Sequence, residues 1–518
     1  MRTRLTLAAA AVAAFAPVHA ATPMSCAQLT KLHLSDSTVA ITQARTVPAG
    51  PIPAAPFGPP ATGTLPEYCR ADGIIDSRTG RNGQSYAIGF AIALPKVWNG
   101  RFMFQGGGGL NGNIGAPFGA QAAGDSPGLA RGFAVVSTDS GHHSNAVFDA
   151  RFFEDQQAAL DFLYQAVAKV TVVAKQIVSR YYGHAAAHSY FVGCSTGGRE
   201  AMMMSQRFPR FFDGIVAGAP AMRTSFSNLG DRWVTIALNA IAPRDASGKL
   251  QGARALSDTD RKLIVNGILK ACDAADGLED GMIFNPTACG FDPASLQCSG
   301  AKSDSCLSAE QVGALKKGFA GPRDSMGRQV YPGFYYDTGI ANGQGPIPGL
   351  LLAPSGPVDR VGGAASMDVD REESAASNAI AIAGDSNSWT NLSSFTAHDG
   401  KLLFYHGVSD PWFSAMDTVQ YYDRLVADNG GADEVHHWSR LFLVPGMSHC
   451  GGGPAALDRF DMLTALVDWV EKGTAPDSVI ATGRAFPGRS RPLCPYPQHA
   501  HYKGTGDSEQ AANFECRN

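Results

Sequence analysis

The sequence predicts an α/β fold, in which a parallel sheet is covered by helices on both faces and interrupted by one large insertion. Three observations predict it. Apolar strand patterns alternate with helical patterns over residues 85–218, the same alternation returns over 401–470, and between roughly 222 and 395 the rhythm breaks. With 518 residues, 44% of them hydrophobic, the chain can bury a large core and exceeds the usual size of one domain.

The elements follow in order. Arg2 and Arg4, the apolar run Leu5–Phe15 and the small-residue site Val18-His19-Ala20 read as an export signal over residues 1–20, with a mature chain beginning near Ala21. Residues 46–66, rich in Pro, Ala and Gly, read as a surface loop. Ser85–Leu94, Arg101–Gln105 and Phe133–Asp139 are expected strands. Asp155–Tyr182 is an expected helix, because Leu160, Leu163, Val167, Val170, Val173 and Ile177 recur at three- and four-residue spacing and make one buried face. Strand Ser189–Gly193, helix Gly197–Phe208 and strand Gly214–Gly218 complete the first half. The second half repeats the rhythm with strand Lys401–Tyr405, helix Ser414–Val426, strand Arg440–Val444 and helix Leu457–Val470. The segment between the halves holds four cysteines, an acidic loop and a Gly/Ala/Ser-rich tract at 338–388, and reads as an inserted lid. The expected organisation is a signal at 1–20, core at 21–221, lid at 222–395 and core again at 396–518.

Composition narrows the function. A net charge of −4, from 42 basic and 46 acidic residues, gives no electrostatic reason to expect nucleic acid or an anionic membrane as a partner. Beyond the export signal, no apolar run approaches the length of about 20 residues that spans a bilayer, so a soluble mature protein is expected, secreted or periplasmic. Ten cysteines, an even number on an export route, suggest five disulfides. No C-x-x-C pair is present, which argues against zinc.

Gly193-Cys194-Ser195-Thr196-Gly197 carries the chemistry. It matches G-x-S-x-G, follows the apolar strand Tyr190-Phe191-Val192 and opens a helix, which is the setting of a nucleophile elbow and hence of an α/β-hydrolase fold. A serine hydroxyl needs a base to take its proton, and that base needs a carboxylate to orient it. In this fold the chain order is Ser, acid, His. Asp410 follows the strand Leu402–Tyr405 and His449 follows the strand Leu441–Val444, both at strand C-terminal ends where open α/β sheets build their sites. His406 precedes Asp410, His436 and His437 lie in a polar connection, and Asp399 stands at the wrong end of its strand. Cys194 precedes the nucleophile and Cys450 follows the base. A disulfide between them would hold Ser195 beside His449 across roughly 250 residues of chain. For the oxyanion, the backbone N–H of Thr196 is one expected donor. The loop Gln105-Gly106-Gly107-Gly108-Gly109 is placed to supply the other; no G-K-S/T follows it, so it is not a phosphate loop.

With Cys-Ser, Asp and His-Cys in place, the chain resembles the tannase/feruloyl esterase family. The resemblance runs over nearly all of the mature chain. It is carried by Trp98-Asn99-Gly100-Arg101-Phe102, Gly193–Glu200, Ser205-Gln206-Arg207-Phe208-Pro209, Leu443–Met447 and Asp458–Leu463. It implies Gly109 and Thr196 as oxyanion donors, Phe413 as a wall of the acyl pocket, and the bridges Cys26–Cys69, Cys194–Cys450, Cys272–Cys289, Cys298–Cys306 and Cys494–Cys516. It also implies a structural calcium in the lid, held by Asp273, Asp276 and Asp280 with the carbonyls of Leu278 and Met282, and no organic cofactor. The branch of the family that cleaves terephthalate monoesters has a longer, aromatic-rich lid, an arginine for the free carboxylate, and Glu where this chain has Thr196. Here 338–388 is poor in aromatics, and Arg360 and Arg371 are the arginines on offer.

The expected activity is hydrolysis of a small aromatic ester by acyl transfer to Ser195. The resemblance ranks feruloyl (hydroxycinnamoyl) esters first, then galloyl esters and terephthalate monoesters. The rivals are a peptidase with the same triad and a non-catalytic binding protein on a hydrolase scaffold. An intact Ser, His and Asp set argues against the second, since a binding module has no need of a base.

Overall fold

The structure, a computed structural model, describes residues 23–34, 38–53, 63–81, 83–342 and 366–518. The expected export segment 1–20, Arg360 and part of the 338–388 tract lie outside the described residues.

Nine strands form the central sheet: β1 (Ala40–Val47), β2 (Tyr68–Thr79), β3 (Ser85–Pro95), β4 (Arg101–Gln105), β5 (Ala134–Thr138), β6 (His188–Cys194), β7 (Gly214–Gly218), β8 (Lys401–Gly407) and β9 (Ser439–Val444). Their order is β1-β2-β3-β5-β4-β6-β7-β8-β9. From β5 to β9 every pairing is parallel, while β1, β2, β3 and β5 pair antiparallel at the other end. β1 and β2 are absent from the expected strands. β2 carries Arg70, Asp72, Asp76 and Arg78, and buried residues alternate along it with more exposed ones. Such a half-solvated antiparallel strand lacks the continuous apolar run that identifies a parallel one.

The period of two sorts the core. Phe102, Phe104, Phe191, Ile215, Ala217, Leu402 and Phe404 face one cluster, and Met103, Tyr190, Val192, Val216, Leu403 and Tyr405 face the other. Helices α1 (Ala166–Tyr182), α2 (Thr196–Arg207) and α7 (Ala415–Asp428) cover the first face, and α8 (Met462–Lys472) covers the second.

One expected helix carries an unforeseen feature and one is corrected. Residues 156–182 form the expected continuous helical run, capped by Asp155, but a π-turn at Asp161–Gln165 interrupts its α-helical pattern between Gln156–Leu160 and α1. The widened turn frees the carbonyls of Phe162 and Leu163, and the buried Arg199 guanidinium donates to both. The second, expected over Leu457–Val470, starts at Met462. Asp461 caps it by accepting the Thr464 N–H, and Arg459–Phe460 before it is a short strand paired with Val479–Thr482.

Between β7 and β8 the chain leaves the sheet and forms α3 (Thr224–Asn239), α4 (Asp258–Cys272), α5 (Ala309–Phe319) and α6 (Val369–Ala376). These elements bury a cluster of their own, Leu256, Ile264, Ile268, Ile283, Leu307, Val312 and Leu315. The disulfides join Cys26 to Cys69, Cys194 to Cys450, Cys272 to Cys289, Cys298 to Cys306 and Cys494 to Cys516. Among the described residues no helix is long and apolar enough to cross a membrane.

Candidate active site

β6 delivers its last residue, Cys194, directly to a turn. Ser195 occupies that turn at φ 65° and ψ −123°, and α2 begins at the next residue. A side chain held in so sparsely populated a backbone region costs on the order of 1–3 kcal/mol, so its neighbours must enforce it. They do so by close backbone approach. A Cβ on Gly193 would lie 2.5 Å from the Gly197 carbonyl oxygen, and one on Gly198 would lie 2.3 Å from that of Gly218. The Ser195 N–H in turn donates to the Gly218 carbonyl at 3.0 Å.

The loops after β8 and β9 bring the other two groups. His449 Nδ1 donates to Asp410 Oδ2 at 2.7 Å. Asp410 is 2% exposed, and its Oδ1 accepts the N–H groups of Trp412 and Phe413 at 2.9 and 3.1 Å. Burial pushes this carboxyl upward. The charge of His449 and hydrogen bonds from His406 and His449 outweigh that and hold it well below the usual carboxylate range. The His449 ring lies against Trp412 and Phe413, at centroid distances of 4.4 and 5.1 Å. The Cys194–Cys450 disulfide, with Cα atoms 6.0 Å apart, ties the neighbour of Ser195 to the neighbour of His449.

Ser195, His449, Thr196, Gly109 and Phe413 all line one cavity of about 1350 Å³. The glycine loop after β4 borders it and is fixed from below. Gly106 N–H donates to the Val192 carbonyl at 2.9 Å, Gly107 N–H to Glu200 Oε2 at 2.9 Å, and Gly197 N–H to the Gly107 carbonyl at 3.0 Å. The Thr196 hydroxyl donates to the Gly109 carbonyl. The N–H groups of Gly109 and Thr196 meet no acceptor among the described residues, which leaves two donors beside the serine. Glu200, buried at the base of this loop, also accepts from Asn111 Nδ2 at 3.0 Å. Burial raises its carboxyl, an effect partly offset by the adjacent Arg199.

Sequence reasoning missed several contributors. His406, set aside because it precedes Asp410, contacts that carboxylate. It is buried within β8, its Nε2 donates to the Phe413 carbonyl at 2.9 Å, and that nitrogen is 3.3 Å from Asp410 Oδ2. Asp337, in the insertion, accepts from Ser409 Oγ at 2.7 Å and Gly446 N–H at 2.9 Å. Only its placement before an expected lid tract could have marked it. Arg371 lies on α6, paired with Glu372, and does not line the cavity.

The acidic loop does not line the cavity, but Arg489, which does, donates to the Asp280 carbonyl at 2.8 Å. Asp273 and Asp276 are buried, and neither has an ion pair among the described residues. Burial and the neighbouring Asp280 push Asp276 up to about 7. Asp280 pairs with Arg491. The carbonyls of Leu278 and Met282 accept no hydrogen bond among the described residues. Two buried carboxylates without cationic partners, beside two free carbonyls, suit an oxygen-ligated cation. Elsewhere in the insertion, Asp324, Asp370 and Glu373 bring carboxylate oxygens within 4.8 Å, but Arg328 already pairs with Asp324.

Comparison with known proteins gives three findings. The family model described as tannase and feruloyl esterase matches residues 69–384 and 366–517. The chain is 41% identical to a mono(2-hydroxyethyl) terephthalate hydrolase of Piscinibacter sakaiensis, over 88% of this chain and 86% of that protein. It is 32% identical to a probable feruloyl esterase B-1 of Aspergillus oryzae, over 82% and 80%. Among solved structures it is similar to feruloyl esterase B from Aspergillus oryzae, with a TM-score of 0.78 and 26% identity over 95% of this chain and 99% of that one.

Proposed function

The chain belongs to the tannase and feruloyl esterase family and is a carboxylic ester hydrolase; from that premise we propose that it is a secreted serine esterase cleaving feruloyl-type aromatic esters. The observation that carries this reading is the 2.7 Å contact of His449 with Asp410 at the wall of the cavity that Ser195 also lines. His449 takes the proton of Ser195 as its oxygen attacks the ester carbonyl. Asp410 holds the imidazole in the tautomer that leaves Nε2 free to accept, and stabilises the imidazolium. The N–H groups of Gly109 and Thr196 bind the oxyanion. His449 then protonates the departing alcohol, and water activated by the same base releases the acid.

The aromatic walls Phe118, Phe148, Phe162, Trp412 and Phe413 support an aromatic substrate. Galloyl esters and terephthalate monoesters are the competing acyl classes, the latter favoured by the 41% identity to a terephthalate monoester hydrolase. The segment 222–395 would act as the lid over this cavity. Five disulfides support an oxidising destination, and with it the reading of residues 1–20 as an export signal. Asp273, Asp276 and Asp280, with the Leu278 and Met282 carbonyls, would hold a calcium ion that neutralises buried charge and takes no part in the reaction.

The test is hydrolysis of methyl ferulate, methyl gallate and mono(2-hydroxyethyl) terephthalate by the purified, disulfide-intact protein. Cleavage of methyl ferulate in preference to the others, lost in Ser195→Ala, is expected. Equal activity in Ser195→Ala overturns the mechanism, and preference for another ester overturns the substrate class.

A further inference from the structure

α3 is the first helix of the insertion, and one of its faces looks into the catalytic cavity. Thr224, Asn228 and Asp231 line that cavity. Their spacing of four and then three residues stacks them on a single face, over about 10 Å of helix rise. The rotation of the helix is locked from behind. Leu229 is fully buried in a cluster with Val330, Val369 and Ala376. A Cβ on Gly230 would lie 2.3 Å from the ring of Tyr331, so no larger residue fits there. The polar face therefore cannot turn away from the cavity.

Two atoms on this face are unsatisfied. Asp231 is 4% exposed, and among the described residues its Oδ1 has no hydrogen-bond partner; nor has the buried Nδ2 of Asn228. An unmet buried polar group costs about 1–3 kcal/mol, and at the wall of a cavity that cost is met by water or by a polar group of the ligand. Burial, and then the negative charge of Asp410, push the Asp231 carboxyl well above its usual range. A carboxyl accepts through its oxygens and donates when it carries a proton, and Asn228 offers an N–H and a carbonyl oxygen. A phenolic hydroxyl, which donates and accepts at once, complements both. A carboxylate on the far end of the acyl group would instead meet a second carboxyl group.

We propose that Asn228 and Asp231 form the subsite that binds a ring hydroxyl of the acyl group, so that α3 sets a preference for hydroxylated aromatic acids. The proposal rests on the esterase reading above. Methyl p-coumarate and methyl cinnamate differ only in one ring hydroxyl, and as methyl esters they carry no hydroxyl on the alcohol side. Wild-type kcat/KM favours methyl p-coumarate by at least about tenfold, and Asp231→Ala, Asp231→Asn and Asn228→Ala each reduce that ratio, mainly through KM. Inhibition of the wild type by free p-coumarate and free cinnamate needs no variant, and p-coumarate binds at least about tenfold more tightly. A wild-type ratio near one, or a ratio unchanged in every folded variant, overturns the subsite while leaving the esterase reading intact. Failure to cleave either ester, or cleavage undiminished in Ser195→Ala, sinks the esterase reading first.

Discussion

At Asp410 two histidines approach one oxygen: His449 Nδ1 at 2.7 Å and His406 Nε2 at 3.3 Å from Oδ2. The inner histidine shares its proton with a backbone carbonyl, so the shorter contact belongs to the outer one, which faces the cavity. Asp410→Asn keeps the volume but favours the wrong imidazole tautomer. It is expected to lower kcat on methyl ferulate by about 10³–10⁴-fold with little change in Tm. Asp139, which follows the cavity-lining Ser137 and Thr138 but does not itself line the cavity, offers a test of pH linkage. Its Oδ1 accepts the N–H groups of Gly89 and Gly141, each at 2.9 Å, and burial pushes its pKa up to about 7. A carboxyl raised in the folded state binds protons more readily there than in the unfolded chain. Its contribution to stability is present below the ordinary carboxylate range and is lost as pH rises from there to about 7. Asp139→Asn is therefore expected to raise Tm by on the order of 2 °C at pH 8.5 and not at pH 4, as read by thermal melts at both. Ser195, Asp410 and His449 were legible in the sequence because each stands just past an apolar strand. His406 and Asp231 were not, since their surroundings come from segments distant in the chain.

At the scale of elements, the insertion is bonded to the loops that carry Asp410 and His449. Asp337 accepts from Ser409 and Gly446, and Tyr331 OH accepts the Ser414 N–H at 3.0 Å. Arg223 pairs with Asp417 of α7. Asp337→Ala leaves the Ser409 hydroxyl and Gly446 N–H without their acceptor, and is expected to reduce kcat on methyl ferulate about tenfold through a misplaced His449. An effect confined to Tm would show that Asp337 serves the fold alone. For the proposed calcium loop, EDTA is expected to lower Tm at pH 7.5, and calcium but not magnesium to restore it, because oxygen-rich loops of flexible geometry suit the larger ion. The π-turn at Asp161–Gln165 within the helix was not legible in the sequence. Hydrophobic spacing continues smoothly across a single widened turn, and only the distant Arg199 reveals that its carbonyls are in use.

Across the whole molecule, the parallel half of the sheet was legible and the antiparallel half only partly so. Buried strands such as Gly214–Gly218 are apolar throughout, whereas Tyr68–Thr79 shows water one of its faces. The insertion resisted reading because its cluster draws on Leu256, Ile283 and Leu315, which share no period. The disulfide with the largest sequence separation, 256 residues, joins the end of β6 to the loop after β9, one on either side of the insertion in the chain. In the chain-entropy model so long a loop contributes about 5 kcal/mol. The double variant Cys194→Ala/Cys450→Ala is expected to melt several degrees lower and to lose more in kcat than in KM, as steady-state kinetics on methyl ferulate would record. That bond also imposes an order of events. Ser195 and His449, the proposed nucleophile and base, belong to halves of the chain made at different times, and the covalent link between their neighbours forms only where thiols are oxidised. Under the proposed mechanism, full activity on esters is therefore expected only once that link has formed, a late step in the maturation of the chain.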